Sequence, residues 1–420
     1  MNQRRWVISG GDVVDQTGRR RADVVIEGDS VVEVGPGLGD GLEAIDATGC
    51  VVAPGLVDLL ADVGGPGQEE RETAASVAAA AAAGGYTTVL AASTAEFPVD
   101  SLAALRACAA WGWAPVSGAL TVGHGEDHLG PMRELAQAGV RCFSDGGRMP
   151  RSSELLRHAF DYGGALDLTF MLHPEDPTLG ASGVMNEGLV SGRLGVPGRP
   201  AAAELIGVQR LLVLAELTGA RVHLHRLTTA ASVALVAGAR NAGLDVSADV
   251  GVNHLLFTDA DCGGYDTNLR MSPPLRTPDD RDALVEAVAD GVVDVVVSDH
   301  APHTPQDKEL PFDVAPAGSL GLETTLAALV SHVGLTVERA LAVTSWGPAA
   351  VLGCAEAAAV VGGAPASLVV FDPKSTWSVD RGALRSRSTN AALAGRELVG
   401  RPRWTVQRGT VVWSDGKESE

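Results

Sequence analysis

Cationic charge is scarce in this chain of 420 residues: 32 Lys and Arg stand against 52 Asp and Glu, for a formal net charge of −20. Such a surface repels phosphate backbones and anionic membranes, which argues against nucleic-acid binding. Cysteine is scarce as well. Cys50, Cys108, Cys142, Cys262 and Cys354 show no C-x-x-C spacing, so free thiols in a reducing cytosol are expected rather than a disulfide frame or a zinc knuckle. No G-x-G-x-x-G or G-x-x-x-x-G-K-[ST] follows a strand-like run, which leaves a nucleotide-binding fold without support. The opening MNQRRWVISGGDVV has no apolar signal core, and the alanine-rich run of residues 76–93 is broken by Gly84 and Gly85. A cytoplasmic chain without a membrane span is expected.

What is present suits a large soluble α/β protein. Apolar residues make up 45% and charged residues 20%, enough for a sizeable core. Both ends alternate apolar and polar side chains between glycine turns, as in RRADVVIEGDSVVEVGPGL near the start and ASLVVFDPKSTWSV and RWTVQRGTVVWSDGK near the end, the signature of short strands. The expectation is one small β-sandwich assembled from residues 1–53 and 358–420. Between them, β-branched runs alternate with Ala- and Leu-rich helical segments about eight times. That rhythm predicts a parallel sheet with right-handed crossovers, closed into a (β/α)8 barrel over residues 54–357.

In such a barrel, chemistry sits at the C-terminal ends of the strands. The apolar runs end in Leu60-Ala61-Asp62, in Phe143-Ser144-Asp145, in Met171-Leu172-His173, in His223-Leu224-His225-Arg226, and in Ser298-Asp299-His300-Ala301-Pro302-His303. Taken singly, a histidine at a strand end is more often a hydrogen-bonded structural residue, and Asp145 before Gly146-Gly147 also reads as a turn former. Asp299 is the sharpest signal. A carboxylate leaving the buried run VVDVVV needs a cation or several N–H donors.

At these residues the chain resembles the dihydroorotases of the amidohydrolase superfamily, specifically the longer bacterial type I group. The resemblance runs through PGLVD (54–58), PGQEE (66–70), AAAAGGYTTV (80–89), HPEDPTLG (173–180), GVMNEGLVSGRLGVPGRPAAAE (183–204), YDTNLRMSPPLRTPDDRDAL (265–284), SDHAPHTPQDK (298–308) and APAGSLGLET (315–324). It implies the amidohydrolase-type TIM barrel with its composite β-sandwich. It also implies a place in pyrimidine biosynthesis: reversible closure of N-carbamoyl-L-aspartate to L-dihydroorotate, with zinc polarising the carbonyl and activating water.

Carried over position by position, the resemblance assigns metal ligation to Asp145, His173 and Asp299, the last also in a catalytic role. It assigns substrate contact to His303 and to the backbone at Ala317 and Gly318. The remaining positions depart from the family pattern. Its His-x-His falls on Leu60 and Asp62, its carboxylate-clamping arginine on Gly64, and two asparagines on Thr94 and Ser272. The histidine of its strand-six motif falls on Arg226. Leucine cannot ligate zinc and a guanidinium repels it. The expectation is therefore that Arg226 pairs with Asp145 or Asp299 and replaces the metal charge, since Asp62, Asp145 and Asp299 would otherwise crowd one another. His225, one residue away along the strand, is expected on the opposite face. The resemblance then implies a catalytically degenerate homologue, homo- or hetero-oligomeric, supporting aspartate carbamoyltransferase, with no cofactor unless a residual site holds zinc. The alternative is an active cyclic amidohydrolase, dihydroorotase or hydantoinase- or allantoinase-like, working with a single metal.

Overall fold

The computed structural model describes residues 4–65, 67–94, 96–108, 115–354 and 358–416. Pro66 of the PGQEE turn, the end of the helical reading around residues 109–112, the start of the strand reading at 113–114, and the expected boundary at residue 357 lie outside them.

The two ends of the chain meet in one mixed sheet of eight strands. Five come from the N-terminal part (Arg5–Asp15, Gly18–Glu27, Ser30–Gly35, Glu43–Asp46 and Val51–Pro54) and three from the C-terminal part (Leu368–Ser378, Glu397–Gln407 and Thr410–Ser414). The seam is antiparallel, with Val370 opposite Val52 and Leu368 opposite Pro54. Trp6, Ile8, Val24, Ile26, Val52, Val370 and Val406 form its apolar core. Pro54 is also where the chain leaves this sheet for the barrel.

Eight parallel strands make the barrel: Leu56–Ala61, Tyr86–Ala91, Gly118–Ala119, Cys142–Ser144, Thr169–Leu172, Arg221–Leu224, Val246–Gly251 and Val295–Val297. Neighbours pair in parallel around the ring. Single bridges, Ala91 to Val116 and Ala61 to His300, close the two remaining gaps. The fold is thus the expected (β/α)8 barrel.

Side-chain alternation sorts each strand into two layers. Phe170, Leu172, Val222, Leu224, Ala248 and Val250 join the large outer core shared with the helices. Val57, Leu59, Leu90, Met171, Val295 and Val297 form a smaller, separate cluster. On strands six and seven the positions that alternate with the outer-core residues are polar: His223, His225, Ser247 and Asp249. The helix Ala74–Gly84 illustrates the packing tolerance. Thr73 caps its start and Gly85, at φ +90°, ends it, and a Cβ on Gly84 would lie 2.1 Å from the carbonyl oxygen of Leu322. No helix among the described residues is long and apolar enough to cross a membrane.

Glu204, on the helix Ala202–Thr218, supports the loop after strand six from below. Its carboxylate accepts from the main-chain N–H of Thr228 at 3.0 Å and of Thr229 at 3.1 Å, and from both threonine hydroxyls. All three residues are buried. Glu204→Ala strands those donors without water to replace the acceptor, so it should cost about 3 kcal/mol or more. Urea unfolding of variant and wild type measures this directly.

Candidate functional site at the barrel mouth

The site residues sit where backbone geometry departs from the strand. Among the described residues, six non-glycine residues have φ in the left-handed region, and three of them, His124 (+51°), Arg226 (+55°) and Asp299 (+47°), lie just beyond barrel strands. Such conformations persist where surrounding contacts over-determine them.

Asp249 supplies much of that determination. It is fully buried. Its Oδ1 accepts from the main-chain N–H of Arg226 at 2.7 Å, and its Oδ2 meets His223 Nε2 at 2.9 Å and His225 Nδ1. Ser247 Oγ holds the other nitrogen of His223 at 2.7 Å. Burial alone would raise the Asp249 pKa; the contacts with His225 and His223 outweigh it and hold the carboxyl well below the usual carboxylate range. Burial in turn pushes His225 down, although Asp249 opposes this. Among the described residues, His223, His225 and Asp249 are the group whose donor atoms, all within 4.8 Å of one another, could hold a metal ion.

His225 and Arg226 turn to different partners, His225 to Asp249 and Arg226 to the Ser272 carbonyl and Asp299. Strand six ends at Leu224; His225, just beyond it, meets the same carboxylate as His223, and Arg226 takes the left-handed turn. The guanidinium of Arg226 donates from Nη1 to the carbonyl of Ser272 at 2.8 Å and lies 3.8 Å from Asp299 Oδ1. Its Nε is buried without a partner. His254 packs beside Asp299, its Nε2 2.9 Å from the Pro273 carbonyl; burial pushes its pKa down.

Asp145 is not the partner of Arg226. Its Oδ1 accepts from Gly147 N and its Oδ2 from His173 N, each at 2.9 Å. His173 places Nε2 3.3 Å from Glu175, which also meets Arg199 at 3.0 Å. Asp62 is held within its own turn. Its Oδ1 accepts from Gly64 N at 3.0 Å; burial raises its pKa, and the main charges acting on it are those of His300, Arg71 and Glu96. Leu60 packs against the cluster of Val57, Leu59 and Val297. Gly64 has φ +71°, and a Cβ there would lie 2.5 Å from the carbonyl oxygen of Glu72, so this backbone has no room for an arginine. Thr94 accepts from Phe97 N at 3.2 Å. Ser272 contributes its carbonyl rather than its side chain.

On the far side of the mouth, His303 Nε2 donates to Ala317 O at 2.8 Å, and Gly318 N donates to Arg270 O at 2.7 Å. Burial lowers the His303 pKa to about 4. The ring is therefore neutral at physiological pH, and its buried Nδ1, which lacks a partner, offers a lone pair. Sequence reasoning missed His124, whose Nε2 lies 2.8 Å from Ser93 Oγ and whose ring a Cβ on Gly146 would strike. It belongs to no motif. The His223-Asp249 contact was also missed, although VHLH carried a visible signal in its alternation.

Below the mouth, Asp58 accepts from Ser298 N at 3.0 Å and from the Ser298 hydroxyl, and burial raises its pKa to about 7 despite them. A carboxyl with a raised folded pKa keeps its proton in the native state after the unfolded chain, with a value of about 4, has lost it. Its contribution to stability is therefore present at low pH and falls as pH rises from about 4 to 7. Asp58→Asn should flatten the pH dependence of the urea midpoint over that interval by about one proton; an unchanged slope would place the titration elsewhere.

A family model described as Dihydro-orotase-like matches residues 49–232. The dihydroorotase of Pelotomaculum thermopropionicum is 38% identical over 98% of this chain and 99% of its own. That of Anaeromyxobacter dehalogenans is 39% identical over 98% of each. Among solved structures, L-hydantoinase from Arthrobacter aurescens superposes with a TM-score of 0.88 at 24% identity, covering 99% of this chain and 97% of that one. Dihydropyrimidinase from Brevibacillus agri gives 0.84 at 21%, covering 98% and 95%. These two share the fold.

Proposed function

The chain belongs to the dihydroorotase-like family of cyclic amidohydrolases, and we propose that it is a member whose hydrolytic centre has been rebuilt without the family's metal pair, serving as a non-catalytic partner of aspartate carbamoyltransferase. The observation that carries this reading is the guanidinium of Arg226, 3.8 Å from Asp299, at the position where the resemblance puts a metal-ligating histidine. A cation fixed there excludes a second one by charge, and Leu60 offers no donor atom.

The six positions do not fit a metal pair. Both oxygens of Asp145 are taken by main-chain N–H groups, Asp299 faces Arg226, and His173 faces Glu175. Substrate contact is reduced as well: at Gly64 there is no clamp for a carboxylate, and a charged hydrogen bond of that kind supports binding by about 1.5–3 kcal/mol. What remains is a full-length barrel and sheet, consistent with a structural task in an assembly.

The expected result is no interconversion of carbamoyl-aspartate and dihydroorotate above the uncatalysed rate, with or without added Zn2+. The chain should also co-elute with aspartate carbamoyltransferase from the same organism in size-exclusion chromatography. Zinc-stimulated turnover of dihydroorotate or a hydantoin would overturn this reading in favour of a single-metal hydrolase using Asp145, His173 and Asp299. Arg226→His, which returns a ligand and removes the blocking charge, should raise zinc affinity at the mouth without restoring turnover, because Leu60 and Gly64 are unchanged.

A further inference from the structure

We infer that the chain holds a single divalent transition-metal ion of the zinc class one layer below the mouth, on His223 of strand six, His225 just after it and Asp249 of strand seven. The His-x-His that the resemblance expects on strand one is absent, yet a His-x-His stands on strand six. There, both imidazoles meet the carboxylate of the neighbouring strand, His223 from within strand six and His225 from just beyond its end.

The donor geometry is close to what an ion requires. Zn–N and Zn–O bonds of about 2.0–2.1 Å in a tetrahedron put neighbouring ligand atoms about 3.3 Å apart. His223 Nε2 lies 2.9 Å from Asp249 Oδ2, His225 Nδ1 lies closer, and all three atoms fall within 4.8 Å. Small outward movements would admit the ion in place of the shared protons. The outer partners that orient metal ligands are present too. Ser247 Oγ engages His223 Nδ1 at 2.7 Å and so presents Nε2, and Arg226 N engages Asp249 Oδ1 and so presents Oδ2.

Three protein ligands leave a fourth position open. His225 keeps 7% of its side chain exposed, whereas the side chains of His223 and Asp249 expose none. The competing explanation is a hydrogen-bonded cluster in which each neutral imidazole donates one N–H to Asp249. It accounts for the same distances without an ion, so the test must detect the ion itself.

The full chain, stripped with a chelator, is titrated with Co2+ and then Zn2+. A visible absorption band of four-coordinate Co2+ saturating at about one equivalent, and displaced by Zn2+, is expected. His225→Gln, which keeps a side-chain N–H for Asp249, should weaken binding at least about a hundredfold, with circular dichroism checking its fold, while His173→Gln leaves the band unchanged. X-ray absorption of the Zn2+-loaded wild type reads the ligands without mutation: two imidazoles are expected, against one for an ion on Asp145, His173 and Asp299. Absence of the band, a single-imidazole shell, or loss of the band in His173→Gln alone would overturn the assignment. None of these readouts involves turnover, so the inference fails or survives separately from the proposed function.

Discussion

The architecture of the mouth depends on one desolvated carboxylate. Asp249 has no exposed surface, and an unmet charge there would be prohibitive. It is met from three sides: by two imidazoles of strand six and by the main-chain N–H of Arg226. The third contact falls on a residue with φ +55°, a conformation that ordinarily disfavours arginine. Asp249 thus fixes both the face that His223 and His225 share and the turn that sends Arg226 toward Asp299. Remove it and three side chains lose their direction together.

The charge balance at the mouth follows from the same constraint. A family member with metal ions sets divalent charge against its carboxylates. Here each aspartate is dealt with separately: Asp145 by two main-chain N–H groups, Asp299 by Arg226, and Asp62 by its own turn. Such local pairings do not require the carboxylates to share one cation. Glu72 reaches across the loop after strand one and tethers it. Glu72 lies 3.5 Å from His300 Nε2, accepts from Arg387 N at 2.9 Å and also accepts from the Ser386 hydroxyl.

The fold was legible because its signals are periodic. Alternating runs at the two ends, and eight strand-helix units between them, each repeat often enough to outweigh local exceptions. The residues of the mouth were legible as a set, since they follow apolar runs. Their directions were not. Strand alternation predicts facing only while the strand lasts, and strand six stops at Leu224; beyond it, the left-handed turns at Arg226 and Asp299 decide where side chains point. Nor does sequence show a contact such as Glu72 with Ser386, which spans more than three hundred residues, or the approach of Glu72 to Gly64 that leaves no space for a side chain.

That last contact bears on how such a site changes. If only ligands were lost, single substitutions could bring them back. Gly64 at φ +71° is a different case, because the backbone itself has adopted a path on which an arginine side chain collides with Glu72. At Arg226 the constraint is of another kind: the left-handed turn is held by Asp249 at the main-chain N–H and by the Ser272 carbonyl at the guanidinium. A side chain at position 64 requires neighbouring backbone to move as well. A few coupled backbone turns at the mouth thus bear on which chemistry the fold can host.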